Sequence, residues 1–254
     1  MPRYRLLLEY DGGRFFGWQW QPRLETVQGV LEERLAVLCG HAVRVIGAGR
    51  TDTGVHALGQ VCHFDTSCGR SAEVFSRALN AALRERIAVL ECREVGPEFH
   101  ARYSARLREY LYRIHLRAAP SCLEQGRMWH LGRRLDQDAM IRAGGILLGS
   151  HDFSAFRAAS CQSRSPIREM RRIEIIEKDQ ELRIIFAANG FLHHQVRNMV
   201  GSLVFVGLGR WSVSRFEDVF RSRDRTRAAP TAPPWGLYLT RVDYETTVIE
   251  GDRL

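Results

Sequence analysis

One short stretch of this chain concentrates groups able to do chemistry. Gly47-Ala48-Gly49-Arg50-Thr51-Asp52-Thr53-Gly54-Val55-His56-Ala57-Leu58-Gly59-Gln60-Val61 holds one carboxylate, one guanidinium and four glycines. An ionised carboxylate such as Asp52 can act as a nucleophile. The apolar run 43–46 leads in and the extended run 60–65 leads out, so the order expected is strand, tight loop, strand. Gly47, Gly49 and Gly54 reach backbone angles closed to other residues and let another molecule come close. Arg50 and Asp52 stand two apart, which in an extended segment points both to one side. That presents a carboxylate beside a cation at a loop mouth. Taken alone, such a loop is more often a hairpin connection with a structural Arg–Asp pair.

Other chemistries are weaker. Asp52-Thr53-Gly54 spells the catalytic tripeptide of aspartic proteases, but those enzymes need two copies whose carboxylates share a proton. One copy is present, and Arg50 would hold it ionised. The nine histidines show no H-E-x-x-H spacing. His193 and His194 are adjacent, so on a helix or strand they point apart and read as a cap or surface pair rather than ligands. Gly12-Gly13 and Gly47-x-Gly49 lack the rest of a Walker or Rossmann fingerprint. No metal and no organic cofactor is expected.

The elements that must carry this loop read as follows. Residues 4–10 form a strand. A Gly-punctuated loop over 11–20 with four aromatics and Arg14 follows, either a packed loop or a base-stacking surface. Thr26 caps a helix that runs to Cys39 and stops at Gly40. Ser71 caps a second, through Leu83, with Val74, Phe75, Ala78, Leu79 and Ala82 inward. Strands follow over 87–95 and 106–116. In the latter Tyr110, Tyr112, Ile114 and Leu116 share one face. Residues 117–126 break the pattern and suggest a boundary, giving halves 1–116 and 117–254. The second half has a short strand at 128–131 and a helix from the Asp136 cap to Leu148. A polar stretch over 160–168 leads to strands 170–177 and 182–188, joined at Asp179-Gln180. Helices over 194–207 and 213–221, a basic loop to Pro234 and a strand at 236–243 complete an α+β pattern.

Bulk properties narrow the partner. The 254 residues carry a net charge of +8, and of 37 basic residues only Lys178 is lysine. Arginine contacts phosphate bidentately and stacks on bases, so the excess suits a polyanion. Cys39, Cys62, Cys68, Cys92, Cys122 and Cys161 form no C-x-x-C pair, which fits a reducing cytoplasm rather than a disulfide framework. No signal peptide and no long apolar span is present, so no membrane is expected.

Gly49–Val61 closely resembles the nucleophile loop of the TruA-type tRNA pseudouridine synthases, and the resemblance recurs in order along the chain. Glu9-Tyr10-Asp11-Gly12 with Phe16-Gly17-Trp18-Gln19 resembles the family's opening. Phe99-His100-Ala101-Arg102 with Tyr110-Leu111-Tyr112 resembles its second element. His151-Asp152-Phe153 and Cys161-Gln162-Ser163-Arg164 resemble its middle. Phe191 to Gly201 resembles its third element, and Gly236-Leu237-Tyr238-Leu239 its last strand. Thr53 stands where Ala is more usual and Glu109 where a basic residue is common.

The resemblance implies two α/β-sandwich halves sharing a continuous, mainly antiparallel sheet with a basic central cleft. It implies isomerisation of uridine to pseudouridine at positions 38, 39 and 40 in the anticodon arm of tRNA, by a homodimer without metal or cofactor. It casts Asp52 as nucleophile, attacking either C6 or C1′, and Arg197 as its ion-pair partner. It casts Arg50 as the residue that fills the stack when the uridine flips out, and Tyr110 as the ring that stacks on the uracil and assists removal of the C5 proton. From the residues alone, Arg197 reads rather as a core salt bridge and Tyr110 as a packed strand aromatic. A non-catalytic RNA-binding or chaperone protein on the same fold is the alternative.

Overall fold

The computed structural model describes residues 1–84 and 86–244. In chain order the elements are β1 (Arg3–Tyr10), α1 (Val27–Cys39), β2 (Ile46–Gly47), β3 (His56–Asp65), α2 (Ala72–Leu83), β4 (Ile87–Val95) and β5 (Leu107–His115). Then come β6 (Trp129–His130), α3 (Gln137–Gly145), β7 (Gly149–Asp152), β8 (Ile167–Lys178) and β9 (Glu181–Ala188). The last are α4 (Gln195–Gly207), α5 (Val213–Ser222) and β10 (Leu237–Asp243).

The strands form one mixed sheet in the order β4-β1-β3-β10-β5-β9-β8-β7, with β2 added to β3 and β6 to β5. All pairings are antiparallel except β10 with β3 and β5 with β6. The order interleaves the chain: β5 lies between β9 and β10, and β10 lies between β3 and β5.

Helices cover the sheet where the apolar pattern demands it. Thr26 Oγ1 accepts from the Gly29 amide at 3.2 Å, and Gly40 ends α1 in the left-handed region at φ 75°. Ser71 Oγ caps α2 in the same way. Phe75 of α2 meets Tyr4 of β1 and Phe64 of β3 edge-on, at ring distances of 4.9 and 5.1 Å. Phe156 stacks on Phe216 and Phe220 of α5. Burying such rings is the main stabilising term, about 1.5–3 kcal/mol for each large side chain.

Several boundaries differ from the pattern reading. The run 43–46 is a strand only at Ile46, because the Val45 amide donates to Glu32 Oε1 at 2.9 Å instead of to a neighbouring strand. The strand expected to begin at Gln60 begins at His56, since β10 runs beside it and pairs with His56 and Ala57. α3 stops at Gly145, short of Leu148: Gly144-Gly145 weaken the last turn, and the chain turns into the unforeseen β7. Along α2 the buried residues are Phe75, Leu79 and Leu83, while Ala82 is exposed.

Candidate active site

The loop between β2 and β3 is held from below. Thr51 is buried, with its Oγ1 2.8 Å from the Tyr10 hydroxyl. Gln60 Nε2 donates to the Gly49 carbonyl at 2.8 Å, and Arg108 Nη2 to that of Ala48 at 3.1 Å. The 11–20 segment straps it from above. The Trp18 amide donates to Thr51 O at 3.0 Å. Gly17, at φ 83°, lies so close that an added Cβ would sit 2.8 Å from the same oxygen. The four aromatics of this strap divide: Phe15 and Trp18 are 3% exposed and packed, whereas Phe16 and Trp20 are 48% and 52% exposed.

Asp52 stands at the top of the loop with its side chain 20% exposed. Arg197, in the first turn of α4, donates from Nη1 to Asp52 Oδ2 at 2.9 Å. Its Nε donates to Ala232 O at 2.8 Å, which fixes the guanidinium plane. The cation beside Asp52 is therefore Arg197, not its neighbour Arg50. Arg50 is exposed and makes no ion pair among the described residues.

Two more groups converge there. His193 Nε2 lies 3.4 Å from Asp52 Oδ1, and His194 Nε2 lies 3.4 Å from Oδ2. The expectation that these neighbours point apart fails, because His194 is neither helical nor extended. It takes φ 61°, ψ 3° at the N-terminus of α4, which swings both rings to one side with centroids 4.0 Å apart. The residue types gave no sign of this backbone angle. Burial pushes the Asp52 carboxyl up, but His193, His194 and Arg197 outweigh it and hold the group below its ordinary value. Asp52 is ionised at neutral pH.

Tyr110, on β5, is 8% exposed and meets Phe191 edge-on at 5.1 Å. Its hydroxyl makes no hydrogen bond among the described residues and points toward Gly49, whose added Cβ would lie 3.9 Å away. Burial first, then the nearby Tyr10 and Asp52, raises its pKa well above that of a free phenol. Tyr110 is thus part of the core by its ring and part of the site by its hydroxyl.

Asp52, His193 and His194 bring three potential metal ligands within 4.8 Å of one another. The cluster fits a cation poorly. Arg197 already occupies one carboxylate oxygen at 2.9 Å, and its charge opposes a second positive charge at that distance.

Fold and site define the class: a mixed α+β pseudouridine synthase, an isomerase. The chain belongs to the family described as tRNA pseudouridine synthase, whose model matches residues 7–104 and 144–245. Asp52, His193, His194 and Arg197 fall inside the matched stretches, and Tyr110 between them. A relative from Rhodospirillum rubrum, named tRNA pseudouridine synthase A, is 49% identical over 96% of this chain and 88% of its own length. One of the same name from Xanthobacter autotrophicus is 49% identical over 96% of this chain and all of its own. A third, from Nitrobacter winogradskyi, is 48% identical over 98% of each. No helix among the described residues is long and apolar enough to cross a membrane.

Proposed function

We propose that this chain converts uridine to pseudouridine at positions 38, 39 and 40 in the anticodon arm of tRNA, with Asp52 as the nucleophile. The observation that carries the reading is the Asp52–Arg197 pair, which joins residues 145 apart in sequence at 2.9 Å. An isolated desolvated carboxylate would take up a proton and lose its nucleophilicity; a guanidinium fixed beside it keeps it charged. Position within the anticodon arm rests on the resemblance of the whole chain to TruA-type enzymes, as does action as a homodimer. Six free cysteines, none in a disulfide, support a cytoplasmic setting.

The reaction breaks the bond between C1′ and N1, turns the uracil, and joins C1′ to C5. The C5 hydrogen leaves as a proton and N1 gains one, so nothing is oxidised or reduced. Asp52 supplies the transient covalent partner, at C6 or at C1′. Arg50, exposed on the loop, is the group free to enter the stack the base vacates. Tyr110 offers its ring to the uracil. Burial makes its phenolate costly, so the hydroxyl serves as a relay that takes up the proton from C5 while its own goes to the uracil, where N1 gains one.

The test is tritium release from tRNA carrying [5-³H]uridine. The unaltered chain releases tritium; Asp52→Asn releases none while keeping its tRNA affinity in filter binding. Near-normal release by Asp52→Asn would overturn the mechanism. An unaltered chain that binds tRNA and releases nothing would leave the non-catalytic RNA-binding alternative standing.

A further inference from the structure

The two oxygens of Asp52 are held unequally. Arg197 donates to Oδ2 at 2.9 Å, and His194 Nε2 also faces Oδ2 at 3.4 Å. Among the described residues Oδ1 is met by His193 alone, at 3.4 Å. The opposite edge of the His193 ring is fixed as well: its Nδ1 lies 3.1 Å from Ser160 Oγ, and its carbonyl accepts from the Ala158 amide at 3.0 Å. When the ring is neutral, a serine hydroxyl donating to Nδ1 leaves the ring proton on Nε2, the nitrogen that faces Oδ1.

This arrangement has a cost. His194 sits in the left-handed region, which is uncommon for a non-glycine residue. Its side chain does not cap α4. The strained angle achieves one visible thing: it turns two successive imidazoles onto one carboxylate.

We propose that His193 is a positioning residue for the nucleophile, holding Oδ1 through Nε2–H while Arg197 holds Oδ2, so that the carboxylate plane is fixed by one donor on each oxygen. The inference rests on the reading of Asp52 as nucleophile. The charged groups facing the pair are Asp52 and Arg197 for both rings, Cys161 for His193 and Arg225 for His194. The Asp52 carboxylate, 3.4 Å away, raises the pKa of His193 above its ordinary value, against the loss from burial. Burial lowers that of His194. Of the two rings, His193 is therefore the one that takes up a proton first as pH falls. As pH rises through its folded pKa, Oδ1 loses a charged donor and keeps a neutral one, a change worth about tenfold in rate.

Two measurements test this. In single-turnover tritium release with saturating enzyme, the rate of the unaltered chain falls about tenfold on the alkaline side. In His193→Gln that limb is absent, the rate below it is lower by about tenfold, and tRNA affinity and melting temperature are unchanged. An unaltered pH profile and rate in His193→Gln would overturn the proposal, as would weaker tRNA binding with an unchanged rate. The second measurement needs no altered histidine. Titration of ¹⁵N-labelled histidines by NMR gives the His193 pKa in the unaltered chain and in Asp52→Asn. A clear fall on loss of the carboxylate supports the pairing, and an unmoved value refutes it. Because this readout is independent of turnover, it stays distinct from failure of Asp52 as nucleophile, which tritium release by Asp52→Asn alone reports.

Discussion

Tyr110 is where core and chemistry overlap, so one atom separates them. Tyr110→Phe keeps the ring against Phe191 and removes only the unpartnered hydroxyl. A packing residue would tolerate that. A proton relay would not, and kcat should fall by ~10²–10⁴ with tRNA affinity unchanged, measured by single-turnover tritium release beside a filter-binding Kd. His63 gives a residue-scale prediction for stability. It is buried on β3, and its Nδ1 accepts from the Ala101 amide at 3.1 Å. Burial, helped by the charges of Arg3 and His100, lowers its pKa from 6.5 to about 4. Between those values the unfolded chain binds a proton that the folded chain refuses, so stability falls as pH drops from 6.5 toward 4. Melting temperature against pH should show that slope, and His63→Gln should flatten it relative to the unaltered chain. At this scale Asp52 was legible because its glycines mark a special backbone. Arg197 was legible only through the resemblance, since no local pattern ties residue 197 to residue 52. His193 is exposed and His194 stands at the N-cap of α4, as a cap or surface pair would, but their convergence on Asp52 was not legible because it depends on one backbone angle.

Elements whose signals are local were read well. Thr26, Gly40, Ser71 and Asp136 sit at the helix ends that their side chains and backbone freedom favour. The turn at Asp179-Gln180, with φ 52° and 65°, joins β8 to β9 as its residue types suggest. What failed was set by a distant partner. β3 extends back to His56 because β10, far along the chain, supplies a parallel neighbour. Gly59 shows how closely those two strands approach. A Cβ there would lie 2.2 Å from the Thr240 carbonyl oxygen, beside the irregularity in β10 between Leu239 and Arg241. Gly59→Ala therefore forces β10 away from β3, with a destabilisation of about 1–3 kcal/mol. Urea unfolding should show the midpoint falling without change of slope. A midpoint equal to that of the unaltered chain would mean the strands have room to part.

Across the whole molecule, charge sets the partner's terms. A net +8 carried almost wholly by arginine should bind tRNA by releasing counterions, so log K falls linearly and steeply with log salt concentration. Filter binding between low and moderate ionic strength measures the slope; a flat line would mean the arginines serve the protein and not the nucleic acid. The place of β10 bears on how such a molecule comes into being. It separates β3 from β5 in the sheet, yet its first residue, Leu237, follows Asp65 at the end of β3 by 172 positions. Until that segment has been synthesised, β3 and β5 each present an unpaired edge, and chains in that state can join one another along it. Assembly should accordingly be slow, governed by contacts of long sequence separation. It should also be most vulnerable to aggregation during translation, when the loop that carries Asp52 and the strand that carries Tyr110 are both made but nothing yet lies between them.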